Sequence, residues 1–149
     1  LIAPSDHALL SASGAHRWLN CTPSARLESD ESESTSNAAE QGTAAHALAE
    51  HKLRRALKQR STRPVSPWID DEMENLTNDY VAYVQEHISL AEETCGDPQV
   101  LIEQRLDFSH IVPGGFGTGD CVIIAEPKLQ IIDLNMAWVY SLRLSVTRS

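Results

Sequence analysis

The chain has 149 residues, which is enough for one domain with a modest hydrophobic core. Apolar residues make up 42% and charged residues 22%, and the formal net charge of −9 argues against a broad basic surface for nucleic acid. No apolar run approaches the length of a membrane span and no signal peptide is visible at the N-terminus, so we expect a cytoplasmic protein without membrane partners.

The N-terminal part is predicted to start with a capped helix. Residues 5–27 place Trp18 on an apolar face, and the pattern breaks at Pro23, a residue that a helix interior excludes. The Ser/Glu-rich residues 28–40 show no periodicity and predict an exposed, mobile loop. Cys21 is one of three cysteines that lie far apart, so we expect neither a disulfide framework nor a zinc site made from cysteine alone.

Two amphipathic helices are predicted next. The first begins near Gln41, where Gly42 and Thr43 supply a start, and its apolar stripe consists of Ala45, Leu48, Ala49, Leu53 and Leu57. A proline-punctuated linker follows over residues 61–67. The second helix is predicted over residues 68–93, with a stripe at three- and four-residue steps formed by Met73, Leu76, Tyr80, Val84, His87 and Leu90.

The first of these helices carries the first candidate ligands. His46 and Glu50 are spaced i, i+4 and therefore point the same way beside the apolar stripe. A histidine and a carboxylate on one helix face can share a cation, or they can form an ordinary surface pair, and the spacing leaves both open. Basic residues follow from Lys52 to Arg63, and we interpret them as a solvated helix face in preference to a DNA-binding stripe.

Three strands are predicted after the helices. Residues 99–108 alternate well enough for one strand, with Leu101, Glu103, Arg105 and Asp107 on one face. After a loop over residues 109–116, residues 117–133 are typical of two short apolar strands joined by a tight turn. Helices followed by three sequential strands predict an α/β or α+β core with an antiparallel meander. Residues 134–149 fit this pattern poorly, because they contain no acid and no turn separates them from the strand before.

The last two strands each carry one acid. Asp120 lies near the start of the first and Asp133 at the end of the second. Two carboxylates on adjacent strands can hold a hard divalent cation, whose remaining coordination positions are left to water and phosphate. A plain hairpin with two exposed acids is the alternative that these two strands alone leave open.

Four sequence blocks together resemble one family of nucleases. They are Ser-x-Ser-x-x-x-x-Trp-Leu-x-Cys at 11–21, Gly-Thr-x-x-His at 42–46, Glu-x-Arg-Leu-Asp at 103–107 and Phe-Gly-Thr-x-Asp-Cys-Val-Ile at 116–123. These blocks resemble a prophage-borne family labelled domain of unknown function 2800, within the RecB-like and Cas-four-like branch of the PD-(D/E)xK nucleases. The resemblance covers residues 5–134 and implies a partial nuclease-like domain over 1–134, with a restriction-endonuclease-like core.

The resemblance also implies roles for individual residues. His46, Asp120 and Asp133 would hold one or two divalent cations, Mg²⁺ or Mn²⁺, and the backbone carbonyl of Leu134 would complete the shell. Asp120 and Asp133 would be the catalytic acids. Glu50 and Glu103 would contact the metal ligands without binding the cation themselves. The implied partners are DNA, as a single strand or a duplex end, and phage recombination proteins.

The chain departs from the nuclease pattern directly after Asp133. The family has Asp-x-Lys, where the lysine acts on the attacking water, but position 135 is Asn. A downstream Gln-x-x-x-Tyr helix is missing as well. We interpret residues 135–149 as a non-native tail of a C-terminally truncated protein, produced by a frameshift after Leu134, since restoring one base can give Lys-Tyr-Gly-Leu-Gly-Val. The nucleotide sequence of the gene tests this interpretation.

Two functions follow from these residues. The first is a truncated phage or prophage metal-dependent DNA exonuclease, which hydrolyses phosphodiester bonds in recombination or repair and is impaired because the lysine is absent. The second is a non-catalytic module that binds DNA or protein on a degenerate nuclease fold.

Overall fold

The computed structural model describes residues 19–21, 23, 37–134 and 139–143, and every structural statement below concerns these residues. In chain order the described elements are α1 (Asn37–Ala56), α2 (Asp71–Cys95), β1 (Gln99–Asp107), β2 (Phe116–Ala125), β3 (Lys128–Ile132) and β4 (Val139–Arg143). The protein is therefore of the α+β class, with helices before an antiparallel sheet, as the sequence predicts. Neither described helix is both long and apolar enough to cross a membrane.

The chain forms two compact units. The larger unit comprises Thr35–Gln104 and Gly119–Ser149, and it contains both helices, β3, β4 and most of β1 and β2. Of the smaller unit, the structure describes mainly Arg105–Thr118, which holds the end of β1, a loop and the start of β2.

Both helices start at positions that differ from the prediction. Helix α1 begins at Asn37, so the end of the predicted loop over 28–40 is helical, and Glu40 in the first turn complements the helix dipole. Helix α2 begins after Asp70, whose side chain accepts a hydrogen bond of 2.8 Å from the N–H of Met73. It ends at Gly96, which has a φ of 79° and donates its N–H to the Glu92 carbonyl.

The core lies between the two helices and the sheet of the larger unit. Leu53, Val84 and Ile123 are fully buried there, and Leu48 is fully buried in a second cluster with Ala44 and Met73. The predicted stripe of α2 is partly wrong, because Leu76 and Leu90 are 53% and 51% exposed. The buried face of α2 instead consists of Met73, Thr77, Tyr80, Val81, Val84, Ile88 and Ala91. The three- and four-residue steps of the sequence fit both sets, and only the position of the sheet selects one of them.

The sheet has the order β1-β2-β3-β4. β2 pairs antiparallel with β3, from Cys121 opposite Ile132 to Ala125 opposite Lys128. β4 pairs antiparallel with β3, so part of the predicted tail extends the three-stranded meander as a fourth strand. Residues 135–138 and 144–149 lie outside the described residues. The pairing of β2 with β3 brings the middle of β2, where Asp120 lies, next to the end of β3.

The loop of the smaller unit is fixed by its own backbone. The N–H of Phe108 donates to the carbonyl of Gly115 over 3.1 Å. A side chain at Gly115 would place its Cβ 2.6 Å from the Phe108 ring, so the close approach requires glycine. The guanidinium of Arg105 lies over the Phe116 ring, 3.8 Å from its centroid.

Candidate metal centre

Three residues from three different elements meet in the larger unit. His46 comes from α1, Glu103 from β1 and Asp120 from β2. One ligand atom of each lies within 4.8 Å of the others. Glu103 and Asp120, which follow His46 by 57 and 74 positions in the chain, are therefore brought next to it. A fold assembles a metal site from residues dispersed in the sequence in this way.

Asp120 is the best-anchored member of this group. Its residue is 9% exposed, and both carboxylate oxygens have partners. Oδ1 lies 3.1 Å from Nδ1 of His46, and Oδ2 accepts a hydrogen bond of 2.8 Å from the N–H of Leu134. The second residue after β3 therefore holds the carboxylate in place. Such outer hydrogen bonds orient metal ligands and tune their affinity.

Glu103 has an unusual backbone for a residue inside a strand. Its φ is 51°, in the left-handed region that side chains other than glycine rarely adopt. Its neighbour Ile102 packs against the core, so regular alternation would turn Glu103 to the other face of the sheet. The positive φ breaks that alternation and allows the carboxylate to join His46 and Asp120. Backbone strain of this kind is concentrated at functional sites.

The acids of this group repel one another in a partly buried setting. Burial and the carboxylates of Asp120 and Glu50 raise the pKa of Glu103 to about 6. The hydrogen bond to Asp120 raises the pKa of His46 above its ordinary value, and nearby carboxylates add to this against the opposing effect of burial. Both groups therefore favour a positive charge between them, supplied by a proton or by a bound cation.

Tyr80 completes the surroundings, and sequence reasoning assigned it to the core only. Its residue is 8% exposed, and its hydroxyl oxygen has no hydrogen-bond partner among the described residues. With His46, Glu103 and Asp120 it lines one narrow gap, in which no water molecule fits as the side chains stand. Burial, more than the neighbouring negative charges, raises the pKa of Tyr80 far above its usual range, so the hydroxyl remains a donor.

Glu50 borders the same gap from α1, as its i, i+4 spacing from His46 predicts. Its Oε1 accepts a hydrogen bond of 2.7 Å from Nε of Arg54, one further turn along the helix. The Arg54 charge in turn lowers the pKa of Glu103, which places this cation close enough to act on the site.

The predicted basic segment thus divides into three parts. Lys52 turns towards α2, where its ammonium group donates to the Glu74 carbonyl, Thr77 Oγ1 and Asn78 Oδ1. Arg54 turns towards the site, while Arg55 lies on the exposed surface. The interpretation as a solvated helix face therefore fails for Lys52 and Arg54. The sequence alone does not distinguish the positions of Lys52 and Arg54 on the helix from that of the exposed Arg55.

Asp133 lies near the group without belonging to it. Its charge raises the pKa of His46, although it is not a member of the three-residue cluster found among the described residues. Asp133 and Leu134 line an open apolar groove of about 260 Å³ together with Leu76, Asp79, Tyr80, Tyr83 and Ile132. The described contact of Leu134 with the site is through its N–H. A role for its carbonyl stays a prediction.

The donor set suits a hard divalent cation. One imidazole and two carboxylates provide nitrogen and oxygen ligands, and the absence of sulfur in the group disfavours soft metals. The unpartnered hydroxyl of Tyr80 gives the gap one donor for an oxygen of an incoming ligand. His46, Glu103 and Asp120 therefore fit a site for a hard divalent cation.

The comparison with protein families gives a single assignment. The family model described as "Protein of unknown function (DUF2800)" matches residues 7–137, which include every residue of the candidate metal centre. The chain belongs to this family. No solved structure matches the chain.

Proposed function

We propose that this chain is a metal-dependent DNA nuclease of the RecB-like branch, an exonuclease-type protein of phage or prophage recombination or repair. The observation that supports it is the meeting of His46, Glu103 and Asp120 from a helix and two strands within 4.8 Å. Asp133, close enough to raise the pKa of His46, is a further ligand in this proposal. A bound Mg²⁺ or Mn²⁺ ion would supply an activated water and would neutralise charge on the scissile phosphate.

The protein's own residues have separate tasks in this proposal. Asp120 and His46 orient each other through their hydrogen bond of 3.1 Å, and the Leu134 N–H fixes the second carboxylate oxygen. Arg54 has five N–H donors, of which hydrogen bonds to Glu50 and Gln59 use two. Its remaining donors are available for a phosphate oxygen beside the acids.

The missing lysine limits the expected rate. Because Asn135 stands where the nuclease pattern has Lys, we expect cleavage several orders of magnitude slower than in a chain with the lysine. Asn135→Lys should raise the rate of cleavage of a labelled oligonucleotide in the presence of Mn²⁺. The proposed frameshift is tested separately by the nucleotide sequence, which should give Asp-Leu-Lys after a one-base shift.

Calorimetric titration with Mn²⁺ tests the site. We expect the wild-type chain to bind Mn²⁺, and Asp120→Asn to weaken binding on the order of 100-fold because the negative charge and one oxygen of the ligand are lost. Glu86→Gln removes one acid from the exposed face of α2 and serves as the matched control, with unchanged affinity. Equal affinities of the Asp120→Asn variant and the wild type would contradict a metal site at this position.

The second candidate is a non-catalytic module that binds DNA or a recombination protein. Asn135 and the narrowness of the gap favour it. Under this alternative the folded chain binds an oligonucleotide equally well with and without Mn²⁺, and Asp120→Asn leaves that affinity unchanged. Fluorescence anisotropy of a labelled oligonucleotide distinguishes the two, because the nuclease site requires metal-dependent binding that Asp120→Asn abolishes.

A further inference from the structure

The hydroxyl of Tyr80 is a buried donor without an acceptor among the described residues. Its residue is 8% exposed, and the oxygen atom itself is shielded from solvent. Leaving a buried hydroxyl unpaired destabilises a fold, and most buried polar atoms are paired for that reason. A phenylalanine would fill the same space in the core without this penalty, so packing against Val81 and Val84 does not account for the oxygen.

The position of Tyr80 connects two features of the larger unit. On one side it lines the gap with His46, Glu103 and Asp120. On the other side it lines the apolar groove next to Asp133 and Leu134. A single side chain therefore borders both the candidate ligands and an open groove.

The chemistry around the hydroxyl selects what it can bind. Tyr80 is surrounded by Asp120, Asp133 and Glu103, whose charges act on it, yet it donates to none of their carboxylates. A cation would bind the neighbouring carboxylates in preference to the neutral hydroxyl. Its unused capacity is that of a donor, and the partner that matches it is an oxygen atom.

We propose that Tyr80 is a positioning residue whose hydroxyl donates a hydrogen bond to an oxygen that enters the gap with a divalent cation. That oxygen belongs to water or to a phosphate, and its entry requires the side chains that line the gap to move apart, because no water molecule fits between them as they stand. This inference rests on the proposed metal site. The hydroxyl orients an oxygen beside the acids without taking up a proton.

Tyr80→Phe tests the inference, since it removes one oxygen and keeps the ring. Tyr83→Phe is the matched control: Tyr83 lies one turn further along α2, is 39% exposed and packs edge-on against His87. The first measurement is the thermal melt of the metal-free protein. We expect Tyr80→Phe to raise Tm by about 2–6 °C because an unpaired hydroxyl is removed from the core.

The second measurement is calorimetric titration with Mn²⁺ alone. If the oxygen is that of water, Tyr80→Phe lowers the Mn²⁺ affinity about 10-fold while raising Tm, and Tyr83→Phe changes neither. A purely structural tyrosine could not produce these opposite changes, because loss of packing would lower both. The third measurement is oligonucleotide anisotropy at saturating Mn²⁺. If the oxygen is that of phosphate, Mn²⁺ affinity is unchanged and oligonucleotide affinity falls about 10-fold in Tyr80→Phe alone.

The results separate this inference from the proposed function. One outcome overturns the inference and leaves the metal site intact. In it the wild-type chain binds Mn²⁺, and Tyr80→Phe binds both Mn²⁺ and the oligonucleotide as tightly as Tyr83→Phe does. A folded wild-type chain that binds no Mn²⁺ overturns the proposed function and the inference with it. A lower Tm in Tyr80→Phe also overturns the inference, since the hydroxyl would then have a partner within the fold.

Discussion

Helix α1 carries two polar clusters, around Lys52 and around His46 only six residues away, that differ in how well their polar groups are paired. Around Lys52, one ammonium group donates to three acceptors of α2 at 2.7–2.8 Å and pairs with the Glu74 carboxylate at 2.6 Å. Around His46, like charges are held together, one strand residue has a positive φ and one hydroxyl is unpaired. The first cluster joins the two helices. The second costs stability, and such costs are retained where a site has a function.

The largest effect on stability is expected from the cluster around Lys52, whose polar groups are paired. Lys52→Met removes the donor to the buried Thr77 hydroxyl and one of the two cations of the Glu74 carboxylate, the other being Arg63, and we expect a loss of about 2 kcal/mol in the free energy of unfolding. Urea unfolding measures it, with Arg55→Met on the exposed side of the same helix as the control, expected within about 0.5 kcal/mol of wild type. If both variants unfold alike, the contrast between the clusters is wrong.

In the candidate metal centre, by contrast, we expect a substitution to increase the free energy of unfolding. Glu103→Gln removes a carboxylate whose pKa is raised from 4.5 to about 6, so the metal-free protein should gain about 1 kcal/mol at pH 7 after allowance for partial exposure. The same variant should lose on the order of 10- to 100-fold in Mn²⁺ affinity. Urea unfolding and calorimetric titration measure the two quantities, and a variant that is both less stable and equally good at binding Mn²⁺ would refute the trade-off.

The backbone of Glu103 provides a second comparison. Glycine accepts the φ of 51° without strain and alanine does not, so Glu103→Gly should be about 1 kcal/mol more stable than Glu103→Ala. Both variants remove the carboxylate, which isolates the backbone contribution. The same pair of substitutions at Ile102, which lacks a positive φ, should show alanine as the more stable variant.

The dependence on pH follows from the two raised pKa values. Glu103 and His46 hold their protons more tightly in the fold than the ordinary values of 4.5 and 6.5 allow. Each therefore contributes stability at low pH that is lost as the pH rises through the folded pKa. We expect the metal-free protein to lose stability as the pH rises from about 4.5 through the raised pKa of Glu103 at about 6 and then through that of His46 above 6.5, and Mn²⁺ affinity to rise over the same range because the metal displaces these protons. A rise in metal-free stability over the same range, or a flat Mn²⁺ affinity, would contradict the assignment.

The smallest effect is expected from Arg54. Arg54→Gln removes a half-exposed i, i+4 pair with Glu50, so stability should change by no more than about 0.5 kcal/mol. Because the Arg54 charge lowers the pKa of Glu103, its loss should raise that pKa further. Carboxyl chemical shifts followed by NMR titration measure the shift, and Arg55→Gln, which faces solvent, should leave it unchanged.

The sequence by itself determined the two helices and the meander, and it indicated part of the candidate site. Periodicity and turn residues mark the elements, because local backbone preference and the burial of one face act over a few residues. His46 and Asp120 could be proposed from the sequence blocks, and the structure brings them within hydrogen-bond distance. The start of α1 and the buried face of α2 were predicted less well, since helix ends depend on caps and neighbours.

Only the tertiary structure decided which residues join His46 and Asp120. A strand with regular alternation gives no sign that Glu103 adopts a positive φ and leaves the face it shares with Leu101. The spacing of α2 does not distinguish the Tyr80 ring as core from the Tyr80 hydroxyl as an unpaired donor. Likewise Lys52 and Arg54 belong to one basic segment, and the packing of α2 and the sheet sends one to each cluster. These roles depend on contacts between elements far apart in the chain, which local sequence patterns do not encode.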